Sequence, residues 1–383
     1  MSTEEAPSPP PCNKSRRWFL RSLIGVGVFA AAGKGIDLLL PRTLCRSGEW
    51  HGPVTDHFDG ELFFNPPEGE ELTYGHGAAF RWLKDRSRRG DYPEVTKNAH
   101  TPELAPTVSG ANWEVTMVNH STMLVRLAGL NILTDPVWSD CTSPIPGIGP
   151  RRKRPVGIAW DALPRIDVCL LSHDHYDHFD VPTLKRLEER DHPLFIVPLG
   201  LQSLLRHHCG APLRIEEKDW WESVSLPGLR ITLTPARHWS KRYYTDESAN
   251  RSLWCGFWLQ AAEGPSIYFA GDTARTRWFT RIRERLGTPH VALLPIGAYK
   301  PEWIRANHTN PADAVQAMLD LQAPLSIACH FGTWQLANEG YQETLDDLAA
   351  ALAAAHIPPH SFLTPENGQT LRGSIPPTPC HIP

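Results

Sequence analysis

Beyond about residue 110 the chain settles into short apolar runs, each closed by a polar cluster. Glu114 to Met117, Met123 to Leu127 and Asn131 to Thr134 carry the residues expected of strands. Ile166-Asp167-Val168-Cys169-Leu170-Leu171 is more continuously apolar, the pattern of a buried strand. Leu229 to Thr234, Ser266 to Gly271 and Leu325 to Cys329 repeat it. Helices are predicted over Val181 to Glu189, Pro311 to Leu321 and Tyr341 to Ala355. Asn310 before Pro311 supplies an N-cap residue and a proline at the first helical position. The alanine-rich stretch Ala349 to Ala355 is explained by helix propensity alone. Residues 41 to 110, rich in Pro, Gly and charge, predict an irregular arm wrapping the domain. No internal repeat is visible.

The polar clusters at the strand ends carry the chemistry. After Leu171 comes Ser172-His173-Asp174-His175-Tyr176-Asp177-His178, with four metal-binding side chains within six positions in the order H-x-H-x-D-H. A strand end fixes such a loop while leaving its side chains free to converge. His173 and His175, two residues apart, can share one ion, while Asp177 and His178 point towards a second. Imidazole and carboxylate suit Zn²⁺, and no CxxC pair lies nearby to suggest a zinc finger. Three more strand-like runs deliver further ligands: His238 after Leu229 to Thr234, Asp272 after Ser266 to Gly271, and His330 after Leu325 to Cys329. With 18 histidines in the chain each alone says little. Their joint placement at strand ends is what points to a metal centre.

This set resembles the metallo-β-lactamase superfamily. Within it the chain is similar to the N-acyl-phosphatidylethanolamine-hydrolysing phospholipase D family and its bacterial relatives. The nearer likeness rests on His57-Phe58-Asp59-Gly60, Leu133-Thr134-Asp135-Pro136, Glu217-Lys218-Asp219-Trp220-Trp221, His238-Trp239, Pro295-Ile296-Gly297-Ala298-Tyr299 and His330-Phe331-Gly332-Thr333, and runs from about residue 55 to 373. Two departures stand out: Asn119 precedes His120 where the relatives carry Gly, and Ala274-Arg275 replace the Gly-Tyr after the bridging aspartate's Gly-Asp-Thr. They bear on substrate choice more than on metal binding.

The resemblance implies an α/β fold, a four-layer αβ/βα sandwich of two sheets with helices outside. It implies two Zn²⁺ per chain: His173, His175 and His238 on one, Asp177, His178 and His330 on the other, and Asp272 bridging. Such a pair shares a water, lowers its pKa, and delivers hydroxide in line to phosphorus. No serine or cysteine nucleophile is needed. Asp177 and Asp272 are then catalytic as well as ligating, Asp135 orients a ligand histidine, and His308 protonates the leaving group or holds the phosphate. The implied reaction is hydrolysis of N-acyl-phosphatidylethanolamine to phosphatidic acid and an N-acylethanolamine. The rivals are a lactonase or cyclic phosphodiesterase with the same ligands, and a non-catalytic envelope protein. A flavodiiron centre is disfavoured by His175, where that branch carries an acidic residue.

Composition adds boundaries. A chain of 383 residues, 41% hydrophobic, can bury one large core. The net charge of −4 gives no global attraction to nucleic acid. Arg151-Arg152-Lys153-Arg154 is a local basic run, read as a solvated loop or as a contact for anionic headgroups. Ser15-Arg16-Arg17-Trp18-Phe19-Leu20 before the apolar Leu23 to Ala32 resembles a twin-arginine signal, with Ala30-Ala31-Ala32 as a cleavage site. Lys34 and Asp37 make it too short for a confident span. The expected divisions are a signal or anchor over 1–40, the arm over 41–110, the hydrolase domain over 111–373 and a tail over 374–383. The expected location is periplasmic or attached to the inner membrane, with the protein exported folded. The expected partners are a phospholipid substrate and a membrane surface; nucleic acid is not, and a homodimer is left open. The eight cysteines are scattered and suggest no disulfide framework; Cys169 and Cys329 read as core residues. Most of the 14 tryptophans read as core, although several lie near the motifs and could line an acyl-chain groove.

Overall fold

The computed structural model of the protein describes residues 47–67, 89–145, 147–210, 212–242 and 249–375. The signal pattern, Cys12, Cys45 and the tail beyond 375 lie outside the described residues. The first sheet contains β1 (Asn112–Asn119), β2 (Thr122–Leu127), β3 (Leu130–Thr134), β4 (Val168–Leu170), β5 (Leu194–Pro198), β6 (Ile215–Lys218) and β14 (Thr370–Ser374). The second contains β7 (Ser223–Leu226), β8 (Leu229–Thr234), β9 (Gly256–Ala261), β10 (Ser266–Phe269), β11 (Val291–Pro295), β12 (Ser326–Cys329) and β13 (Phe362–Leu363). Among the described residues five α-helices accompany them: α1 (Val181–Asp191), α2 (Leu201–Cys209), α3 (Trp278–Leu286), α4 (Pro311–Leu321) and α5 (Tyr341–Ala354).

The order is β14-β1-β2-β3-β4-β5-β6 in one sheet and β13-β12-β11-β10-β9-β8-β7 in the other. Each sheet has antiparallel ladders in one half and parallel ladders in the other. The two halves of the fold therefore match in topology although no sequence repeat betrays it. This is an α/β sandwich of two mixed sheets with helices, as the resemblance implied.

Period-two alternation makes the layers. In β4, Val168 and Leu170 join the core shared with the second sheet, while Cys169 and the following Leu171 join the core under α1 and α2. Each fully buried aliphatic or aromatic side chain contributes ~1.5–3 kcal/mol, and both faces of β4 are filled this way. That rigid strand is what holds the loop after it. Helices α3, α4 and α5 pack on the larger core through Phe279, Ile282, Val315, Leu321, Leu348 and Leu352. The Asn310 side chain accepts a hydrogen bond from Asp313 N–H, the cap expected of that residue.

The described parts of 41–110 contain no helix or strand beyond the isolated bridge Phe58–Phe63. Phe58 and Phe63 are nonetheless fully buried in the core between the sheets. Among the described residues no helix is long and apolar enough to cross a membrane.

Candidate metal centre

Strand ends of both sheets meet at one edge of the sandwich. β3 runs into Asp135, β4 into His173 to His178, β8 into His238, β10 into Asp272 and β12 into His330. Parallel strands buried on both faces end in loops that must find polar partners, and here they find one another. Asp135 (φ 36°), His330 (φ 56°) and His120 in the β1–β2 turn (φ 44°) adopt the left-handed region that non-glycine residues avoid. Such strain persists where the surroundings over-determine it, typically at a functional site.

The ligand atoms fall into two groups. His175 Nδ1 lies 2.9 Å from His173 Nε2 and 3.2 Å from His238 Nε2. Asp177 Oδ2 lies 3.5 Å from both His178 Nε2 and His330 Nε2. Asp272 Oδ2 stands between the groups, 2.9 Å from His330 Nε2, 3.3 Å from His178 Nε2 and 3.7 Å from His238 Nε2. In a tetrahedral site with bonds of about 2.0–2.1 Å, ligand atoms sit roughly 3.3 Å apart. The observed spacings bracket that value. His178 Nε2, His330 Nε2 and Asp272 Oδ1 are buried without a hydrogen-bond partner among the described residues. The two nitrogens lie within 3.3 Å of Asp272 Oδ2 yet are not aligned as donors to it, the arrangement of ligands around an ion. The residues present therefore fit two metal ions.

The outer nitrogens set the tautomers. His178 Nδ1 donates to Asp135 at 2.8 Å and His238 Nδ1 to the Asn307 carbonyl at 2.8 Å. Ser172 gives its hydroxyl proton to Asp135 at 2.7 Å and so accepts from His173 Nδ1 at 2.9 Å. Each bond leaves the Nε2 lone pair facing the centre.

Charge makes the same demand. Burial holds the His173 imidazole far below the ordinary histidine range and lowers His175 and His238 to about 3, so all three are neutral, as ligands must be. Burial also opposes protonation of His178 and His330. Asp272 and Asp177 beside them overcome it, raising His178 and bringing His330 to about 9. Burial would raise both carboxylates, yet His178 foremost among their neighbours keeps them ionised. Two buried carboxylates thus draw positive charge into the site, which a divalent cation supplies.

All seven ligand residues read from the sequence come together here. His308 lies at the rim, its Nδ1 3.8 Å from Asp272 Oδ2 and its side chain 15% exposed. The ring of Trp239 packs edge-on to His175 at 4.4 Å. Two clefts of about 370 and 340 Å³ are both lined by Tyr176, which sits in the metal loop, and by Arg242, and the smaller is lined by Trp239 as well.

The sequence reading missed His120. It was noted only as the neighbour of Asn119, yet its Nε2 lies 3.1 Å from Asp177 Oδ2 and its ring 4.1 Å from that of His330. The position of His120 at a strand end was the signal that could have found it.

Within the basic run, Arg152 and Arg154 are turned inward rather than solvated. Arg152 is half-buried with its Nε and Nη1 shielded from solvent, donating to the Val137 and Ser139 carbonyls with its guanidinium 4.5 Å from the Trp334 ring. Arg154 lies 4.0 Å from the Tyr341 ring. The flanking aromatic residues, distant in sequence, take these two cations inside; Arg151 is exposed.

Comparison with known proteins agrees with this geometry. A profile described as a beta-lactamase superfamily domain matches residues 130–331. The chain is 39% identical over 246 residues to an uncharacterized protein of Mycobacterium tuberculosis, covering 63% of this chain and 65% of that one. The chain thus spans just under two thirds of that relative's length. It is 35% identical over 271 residues to N-acyl-phosphatidylethanolamine-hydrolyzing phospholipase D 1 of Caenorhabditis elegans, covering 68% of this chain and 75% of the relative. Among solved structures, the isothiocyanate hydrolase from Delia radicum gut bacteria superposes with a TM-score of 0.54 at 19% identity, over 68% of this chain and 99% of that one. That likeness is one of fold.

Proposed function

The chain belongs to the metallo-β-lactamase superfamily and is a metal-dependent hydrolase, and from that premise we propose a phospholipase D-type phosphodiesterase with two zinc ions, acting on N-acyl-phosphatidylethanolamine. The observation that carries the reading is Asp272, one carboxylate within 3.7 Å of histidines from both ligand groups. The 35% identity to an enzyme named for this substrate supports the choice of lipid.

His173, His175 and His238 would hold one ion, Asp177, His178 and His330 the other, and Asp272 both. Bound there, a zinc pair supplies Lewis acidity, which acidifies water and neutralises charge developing on phosphoryl oxygens. The chain's own groups do the rest. Asp135 and Asn307 hold the imidazoles in register. His308 is lowered to about 3 by burial and by His238. It is therefore neutral, and fits hydrogen bonding to a phosphoryl oxygen better than carrying a proton to the leaving group. Trp239, packed on His175, and Tyr176 both line the smaller cleft and would border the lipid headgroup.

A lipid substrate calls for contact with a membrane surface. Exposed Ile148 and Arg151 lie on the loop that lines the clefts and could meet it. The N-terminal signal pattern would place the protein in the periplasm or on the inner membrane, as a monomer or a homodimer.

The test is release of N-acylethanolamine from N-acyl-phosphatidylethanolamine by the zinc-loaded protein, with Asp272→Asn as control. Release that vanishes in the variant supports the proposal. No release from a protein holding two metals rejects this lipid and turns the search to lactones and cyclic phosphodiesters.

A further inference from the structure

His120 occupies the turn between β1 and β2 and is built into the centre more firmly than a packing residue requires. Its backbone N–H donates to Thr333 Oγ1 at 2.8 Å, and its carbonyl accepts from His330 N–H at 2.9 Å. The turn is thereby joined to the loop that carries a ligand. Trp334 closes over the imidazole edge-on at 5.1 Å. The ring is buried, and its Nε2 meets Asp177 Oδ2 at 3.1 Å. Its Nδ1 has no hydrogen-bond partner among the described residues, so no protein group there competes for the tautomer that puts the proton on Nε2.

Asp177 Oδ2 is also the atom 3.5 Å from His178 Nε2 and from His330 Nε2. A carboxylate oxygen has two lone pairs and can serve an ion with one and accept a hydrogen bond with the other. Without a partner for the second, the carboxylate could turn about its last torsion, which is broad for aspartate. We infer that His120 is a positioning residue, whose Nε2–H donates to Asp177 and fixes it as a ligand to the ion shared with His178 and His330. The inference rests on the two-ion reading of the site. Its effect is local to one ion, because the residues His120 meets are Asp177, His178 and His330, all assigned to that ion.

The experiment compares metal retention of the full chain against a graded chelator, with thermal melting as a check on folding. Wild-type protein should retain two ions. His120→Leu keeps bulk but removes the donor, and should hold the ion of His173, His175 and His238 normally while losing the other about 10–100-fold more readily. His120→Gln places an amide N–H near the position of Nε2 and should restore most of the difference. If His120→Leu does not fold, His120→Asn, polar but too short to reach Asp177, takes its place. Equal retention by wild type and the Leu or Asn variant overturns the inference. So does a loss in His120→Gln as complete as in His120→Leu, because an amide keeps the hydrogen bond but cannot replace an imidazole ligand. Wild-type protein that retains fewer than two ions removes the two-ion reading itself, and the inference with it.

Discussion

His178 Nδ1 lies 2.8 Å from the carboxylate of Asp135, and neither side chain reaches solvent. The same carboxylate takes the N–H and the hydroxyl of Ser172, both at 2.7 Å, and Ser172 in turn accepts from His173. One aspartate thus sets the tautomer of a histidine in each ligand group. Asp135→Asn puts an amide N–H where an acceptor stood. It should push protons onto the Nε2 atoms and weaken both ions by roughly 10–100-fold. Chelator titration decides it. A variant that loses only one ion, or neither, removes the shared role.

His57 pins the arm to the turn after β6. Its ring is stacked 4.3 Å from that of Trp220, with Nε2 2.8 Å from Asp219 and Nδ1 2.7 Å from Asp56. Burial disfavours its protonation, but Asp219 and then Asp56 outweigh it and raise its pKa. The folded value is above the unfolded one of about 6.5. Its stabilisation is therefore complete below about pH 6.5 and lost as pH rises through the folded value. Melting temperatures of wild type and His57→Gln, compared from about pH 6 to about pH 9, should converge as pH rises. A gap that stays constant or widens refutes this account.

Gly271 precedes Asp272 with φ 61°, and a Cβ there would lie 2.7 Å from the Cys255 carbonyl oxygen and 2.9 Å from Ser172 Cβ. Ser172 opens the metal loop, and Cys255 N–H donates to its carbonyl at 3.0 Å. Gly271→Ala should cost about 2 kcal/mol or more, from left-handed strain plus the clash. It should also loosen metal retention. Denaturant unfolding measures the first effect, and an unchanged midpoint contradicts the steric argument.

Arg151 and Arg152 should separate. Burial lowers the pKa of Arg152 to about 10, and its guanidinium is engaged by two carbonyls and Trp334. Arg152→Ala should lose about 2–3 kcal/mol of stability, because buried acceptors and the Trp334 face lose their partner. Arg151→Ala should leave stability within about 0.5 kcal/mol and weaken binding to anionic vesicles by about 1 kcal/mol. Vesicle sedimentation beside thermal melting reads both. The reverse pattern would return the whole run to the surface.

What was legible in advance was local. The strand before His173 and the helix begun by Asn310-Pro311 appeared at or near the expected bounds, because period and capping act within a few residues. His238, Asp272 and His330 were found because each follows an apolar run, though nothing local says that the three runs end at the same place. His120 was missed for that reason: its partners are Asp177, Thr333 and His330, two of them more than 200 positions away. Arg152 and Arg154 were misread because charge is visible in sequence, whereas the aromatic faces that take them in are not.

By itself, the sequence determined half of the described strands, three of the five described helices and the kinds of ligand, since backbone propensity and donor chemistry belong to residues and their near neighbours. Only the tertiary structure decided which nitrogen of each histidine faces inward, that Asp272 reaches both ligand groups, and that His120 stands behind Asp177. Those relationships depend on where two sheets bring their strand ends together. Distances of about 3 Å between distant side chains are fixed by the packing of the core, not by any one segment.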